Sequence, residues 1–196
     1  MNNLFYQITQ KVMSRLENEL PNWLFYHAPC HTKYVLDKAI FIANKEGILE
    51  QDLFLLKVAA LYHDTGFTVK RENHEEISCE IATKELAEFG LDDKQIKTIC
   101  GMIRATRIPQ QPKTKLERIL ADADLEYLGT DNFKEFGDKL YKEILHYDPE
   151  LDEKKWNEIQ HQFIEKHQYH TNYCKIHREP KKLKNLQLLV KNSGLV

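Results

Sequence analysis

Residues 52–66 read DLFLLKVAALYHDTG. From Leu53 to Tyr62 every position except Lys57 is apolar, the pattern of a helix buried on nearly all sides. Asp52 stands where an N-cap is expected and Gly66 where a C-terminal stop is expected. His63 and Asp64 therefore fall at the end of the most apolar helix of the chain. A carboxylate in such a place needs a partner, because an unpaired buried charge is strongly disfavoured or takes up a proton.

Outward from that helix the period stays near 3.6. Leu4, Ile8, Val12, Leu16 and Leu20 form the stripe of a first helix that Pro21 ends, and Val35, Leu36, Ala39, Ile40, Ile42 and Ala43 line a second that stops near Gly47. The spacing predicts further helices over 73–89, 92–107, 113–128, 131–146, 152–177 and 181–192. Asp92 caps one of them, and Gly90 and Gly129 close two others at positions that commonly take positive φ. No run alternates with period two, and seven glycines and six prolines in 196 residues are few for a turn-rich all-β chain. The expectation is all-α, about eight helices in a single domain spanning 1–196, since no repeat, linker or low-complexity tract divides it.

Charge and cysteine usage narrow the function classes. With 28 basic and 30 acidic residues the formal net charge is −2, which excludes a strongly basic nucleic-acid-binding chain. No apolar run approaches 18 residues, and the opening MNNLFYQITQ lacks the order of a secretory signal, so a cytoplasmic protein without membrane or nucleic-acid partners is expected. Cys30, Cys79, Cys100 and Cys174 contain no CxxC pair and are expected to be reduced. A Gly-rich phosphate loop is absent, which argues against P-loop machines. His170, Cys174 and His177 share one face of the predicted 152–177 helix, but no fourth zinc ligand accompanies them.

Two more stretches bear on His63 and Asp64. Tyr26-His27-Ala28-Pro29-Cys30-His31 places two histidines four apart, with Pro29 suited to open a helix. In the helix around 115–129, Leu116, Ile119, Leu120, Ala123 and Tyr127 form an apolar stripe. Asp124 falls on its edge, whereas Asp122 points about 160° away at the helical 100° per residue. Imidazole nitrogen together with carboxylate oxygen suits divalent ions such as Mn²⁺, Fe²⁺, Co²⁺, Ni²⁺ or Zn²⁺.

In order, His31, His63-Asp64 and an Asp of Ala121-Asp-Ala-Asp-Leu125 resemble the H…HD…D signature of the HD-domain superfamily of metal-dependent phosphohydrolases, over roughly residues 23–130. The segment Tyr26-His27-x-x-x-His31 with Val35 is similar to the YHNxxHAxDV motif of cyclic-nucleotide phosphodiesterases, and Ala123-Asp124-Leu125 to their ADLSNP segment. Ala28 replaces the Asn, Lys33-Tyr34 precede the Val, and Thr65-Gly66 follow the HD pair where HDxxHPG would stand. Asn73-His74-Glu75-Glu76 and the stretch 122–129 resemble bacterial stand-alone HD hydrolases.

The resemblance implies that His31, His63, Asp64 and one of Asp124 or Asp122, with Asp124 preferred, hold one or two divalent ions (Mn, Mg, Ni, Co, Zn or Fe). It implies His27 as general acid and His74 as a second-metal or phosphate-facing histidine. The expected activity is hydrolysis of a small phosphorylated metabolite, a nucleotide or cyclic nucleotide first, with a metal-bound hydroxide as nucleophile. Arg104 and Arg107, ending the 92–107 helix, are the first candidates to face the phosphate. Residues 131–196 are expected to pack on the motif-bearing core, and a homo-oligomer is allowed. The alternatives are an HD-fold module that senses a nucleotide without turnover, and a di-iron oxygenase.

Overall fold

A computed structural model describes residues 2–193. Among the described residues there are ten α-helices and no strand, so the all-α expectation holds, with more helices than the eight expected. They are α1 (Asn2–Glu19), α2 (Pro29–Lys45), α3 (Glu50–Tyr62), α4 (His74–Glu88), α5 (Asp93–Arg104), α6 (Lys115–Asp124), α7 (Phe133–Ile144), α8 (Glu153–Lys166), α9 (Asn172–His177) and α10 (Glu179–Ser193). Short 3₁₀ turns follow α3 at Thr65–Thr68 and α6 at Glu126–Gly129. No described helix is long and apolar enough to cross a membrane.

Helix α3 is the hub. Leu56, Val58, Ala59, Ala60, Leu61 and Tyr62 are all fully buried, because α1, α2, α5 and α6 pack around it. A second apolar cluster, built on Tyr26, Leu125, Tyr127, Leu128, Phe136 and Ile164, lies under α7, α8 and α10. At the end of α6 the chain passes from the first cluster to the second: Ala123 belongs to one, Leu125 to the other, and Asp124 stands between.

Local details differ from the sequence expectation in four places. First, α3 begins at Glu50, not Asp52, since the Leu53 N–H already bonds the Leu49 carbonyl at 2.9 Å; Asp52 lies in the first turn, where its charge suits the helix dipole. Second, Gly90 takes the expected positive φ but Gly129 does not. Gly129 is small because the Arg178 backbone passes where a Cβ would stand. Third, the 113–128 helix ends at Asp124 and continues as a 3₁₀ turn.

Fourth, the long 152–177 helix is broken. The His170 and Thr171 N–H groups and the Thr171 hydroxyl donate to the Asp122 carboxylate at 2.8, 2.8 and 2.6 Å, and Lys182 Nζ reaches the His167 carbonyl at 2.5 Å. These tertiary bonds take backbone groups that the helix would have needed. His170 therefore precedes α9, and the shared face of His170, Cys174 and His177 does not form.

The His63-Asp64 turn is held from α4. The Ser78 hydroxyl accepts from the Gly66 N–H and donates to the His63 carbonyl, both at 2.8 Å. A Cβ on Gly66 would overlap the His74 carbonyl, so α4 approaches this turn as closely as only glycine allows. Gly66→Ala must displace α4 or the turn, and we expect a loss of about 1–3 kcal/mol, the usual effect of overpacking. A urea midpoint lowered at unchanged m-value checks it; an unchanged midpoint would show that the turn yields freely.

Candidate metal centre

Three helices deliver the four residues of the site. Pro29 starts α2, setting His31 in its first turn with its side chain buried. His63 is the residue just after α3, Asp64 the next, and Asp124 the last residue of α6. The His63 Nδ1–H donates to the Ala60 carbonyl at 2.8 Å, which turns Nε2 toward the two aspartates. That atom lies 3.0 Å from Asp64 Oδ2 and 3.7 Å from Asp124 Oδ1. His31 Nε2 lies 3.0 Å from Asp124 Oδ1 and 3.5 Å from Asp64 Oδ2.

Despite these separations His63 Nε2 and Asp64 Oδ2 have no hydrogen-bond partner, and both are sealed from solvent. Burial by itself would raise both carboxyls. The adjoining imidazoles outweigh it, holding Asp64 far below the usual carboxylate range and Asp124 down to about 2. Burial would likewise depress His63, and the two carboxylates outweigh that and raise it well above the ordinary histidine value. Two carboxylates and two imidazoles packed this closely require added positive charge, as protons or as a cation.

The donor set fits a cation. One atom each of His31, His63 and Asp124 lies within 4.8 Å of the others, a possible site for a divalent metal. The unpartnered His63 Nε2 and Asp64 Oδ2 are aimed into the same small volume, as ligands awaiting an ion would be.

His27 and His74 flank the cluster. His27 Nδ1 bonds Glu143 Oε1 at 2.5 Å, and Glu143 Oε2 accepts the backbone N–H groups of Tyr26 and His27 at 3.0 and 3.1 Å. Burial would lower the His27 pKa, but the Glu143 hydrogen bond and the field of Asp64, Glu143 and Asp124 outweigh it and raise it. His74 donates Nδ1–H to the Arg71 carbonyl at 3.0 Å and sets Nε2 3.7 Å from Asp64 Oδ1 and 3.6 Å from Glu75 Oε1. Between the two imidazoles lies Phe67, its ring centre 4.0 Å from His27 and 4.1 Å from His74.

A cavity of about 250 Å³ opens on this cluster, lined there by His27, Asp64, His74, Glu75 and Asp124. Three sequence candidates lie elsewhere. Asp122 points away, its oxygens taken by His170 and Thr171, so of the two aspartates only Asp124 reaches His31 and His63. Arg104 bonds Glu76 at 2.9 Å, and Arg107 lies 3.4 Å from both Glu75 and Glu76; neither lines the cavity. Conversely, sequence reasoning passed over Glu143 and Phe67. Glu143 was findable, because it lies three and seven residues from Leu140 and Phe136, on the apolar stripe of its helix. Nothing local to Phe67 sets it apart.

The HD domain family matches residues 30–126. Similar solved structures include a predicted HD superfamily hydrolase from an uncultured Thermotogales bacterium, 21% identical, covering 71% of this chain and 88% of its own, with a TM-score of 0.52. Bacillus subtilis YpgQ, solved in complex with ADP, is 19% identical, covers 97% of this chain and 95% of its own, and has a TM-score of 0.66. At these identities the likeness is one of fold. No curated protein sequence matches the chain significantly. Its helical architecture, and the residues 30–126 that carry His31, His63-Asp64 and Asp124, make this chain a member of the HD-domain family.

Proposed function

We propose that the chain is a metal-dependent phosphohydrolase acting on a small phosphorylated metabolite, in first place a nucleotide or cyclic nucleotide. The observation that carries this is the convergence of His31, His63, Asp64 and Asp124 on one small volume at the inner end of the cavity, with the unpaired His63 Nε2 and Asp64 Oδ2 aimed into it. Those four residues would hold a first divalent ion. Asp64 Oδ1, facing His74, is available to a second. A divalent ion bound there offsets phosphate charge and lowers the pKa of water toward neutrality.

The chain itself supplies proton control and orientation. Glu143 fixes the His27 ring through Nδ1 and favours its charged form, leaving Nε2–H to protonate the departing oxygen. Glu143 also holds the Tyr26 and His27 backbone, so ring and main chain share one anchor. The ADP seen in YpgQ supports a ligand of nucleotide type.

Elemental analysis, with turnover of bis(p-nitrophenyl) phosphate and a nucleotide panel in Mn²⁺, Mg²⁺ and Ni²⁺, tests the reading. One or two metals per chain and released product support it; neither metal nor turnover overturns it. Metal without turnover transfers the weight to a nucleotide-sensing module, and oxygen-dependent turnover with iron to the oxygenase.

Variants separate the roles. His63→Ala, Asp64→Ala and Asp124→Ala are expected to lose metal and activity together. Asp122→Ala is expected to keep metal but to lower stability by about 1–3 kcal/mol for each buried donor it orphans. Metal content and thermal denaturation of both aspartate variants decide between the two positions.

His27→Ala is expected to bind metal with turnover slowed about 10²-fold or more. Because the His27 pKa is raised, its acid form persists above the usual histidine range and is lost as pH rises through the raised value. In Glu143→Gln that descending limb of the pH–rate profile moves to lower pH. A profile with an unmoved limb would remove His27 from the acid role.

A further inference from the structure

Beyond the metal centre the cavity runs between α7 and α8. Every lining residue from these helices is apolar or glycine except Gln160, with Leu140, Trp156 and Phe163 among its walls. Gly137 keeps the slot open: a Cβ there would stand 2.7 Å from Gln160 Oε1. At the metal end the charged lining groups are Asp64, Glu75 and Asp124, with His27 and His74 beside them; no lysine or arginine among the described residues lines the cavity. Arg104 is ion-paired to Glu76 and Arg107 to Glu75 and Glu76, neither arginine itself lining the cavity, and Arg71 lies over the Tyr147 ring.

That distribution of charge restricts what can be bound. Sites that hold di- and triphosphates surround the chain of phosphates with Lys, Arg or backbone N–H groups as well as metal. Here a second or third phosphate would meet either the Glu75 carboxylate or an apolar wall that cannot replace its water. A flat, largely apolar body suits the slot, and a heteroaromatic edge suits the one amide in it.

We propose, building on the phosphohydrolase reading, that the substrate carries a single phosphoryl group and is a nucleoside monophosphate, open or cyclic. Its base occupies the α7–α8 slot with Gln160 hydrogen-bonding the base edge. In the reaction water adds its oxygen to phosphorus, the phosphorus–oxygen bond to the ribose breaks, and the freed ribose oxygen takes a proton. An open ester yields a nucleoside and inorganic phosphate, and a cyclic one yields the open monophosphate.

The test compares kcat/KM for AMP, cyclic AMP, ATP, phenyl phosphate and glycerol phosphate on the wild-type protein in Mn²⁺. AMP or cyclic AMP is expected to exceed ATP and glycerol phosphate by at least about tenfold, the smallest discrimination a fitted apolar pocket gives. Gly137→Val, which fills the slot, is expected to raise KM for the preferred nucleotide at least about tenfold with metal content unchanged. If that variant does not fold, Gln160→Leu serves: it is expected to raise KM for the nucleotide but not for phenyl phosphate. ATP turned over as well as the monophosphates, or variants that leave KM unmoved, would overturn this inference and leave the hydrolase reading standing. Absence of turnover on every ester overturns both.

Discussion

Everything in this molecule is arranged around two carboxylates, Asp64 and Asp124, closed together with two imidazoles at the end of an apolar helix. Like charges at such separations repel strongly where water is excluded. They stay because their backbones cannot retreat. Asp64 follows a helix whose last turns are fully buried, the turn after it is bridged by Ser78, and Asp124 ends a helix whose Ile119, Leu120 and Ala123 sit in the core. The geometry is thus held by hydrophobic packing, and the charge it concentrates is left for a cation to balance.

Other buried acids show how unusual that is. Glu85 has Arg15 at 2.5 Å and the Tyr62 hydroxyl at 2.8 Å. Glu126 is met by Arg178, the Tyr34 hydroxyl and Lys38. Asp122 takes three donors from residues 170 and 171. Each has permanent partners that tie distant segments together, and each serves the fold. Among the described residues the ion-pair partners of Asp64 and Asp124 are imidazoles, with no lysine or arginine, which is the arrangement expected where a bound ion completes the balance.

Much of this was legible in the residues. An almost wholly apolar helix running into His63-Asp64 announces a buried polar pair, and helical phase sets Asp124 on the edge of the apolar stripe; phase did not foretell that Asp122, on the other side of the helix, is fully buried as well, under residues 170 and 171. The likeness to HD-domain proteins supplied His31, which its own surroundings do not mark. What escaped depends on contacts between segments far apart in the chain. The break before α9 comes from hydrogen bonds to Asp122, some 50 residues earlier, and no local breaker signals it. Arg104 and Arg107 stand near the motifs in sequence, yet Glu75 and Glu76 claim them in space. Glu143 obeys the same rule as Asp124, a carboxylate on the apolar stripe of its helix, but its partner His27 lies more than 100 residues away in the chain.

Helix α7 carries both Gly137, which opens the slot, and Glu143, which grips His27. Six residues of α-helix separate them by about 9 Å along the axis. The helix therefore acts as a ruler: the spacing between the body of whatever occupies the slot and the hydrogen offered by the imidazole is set by a rigid rod. Movement of the helix as a body leaves that spacing unchanged, so a ligand one atom longer or shorter finds the same hydrogen in the wrong place.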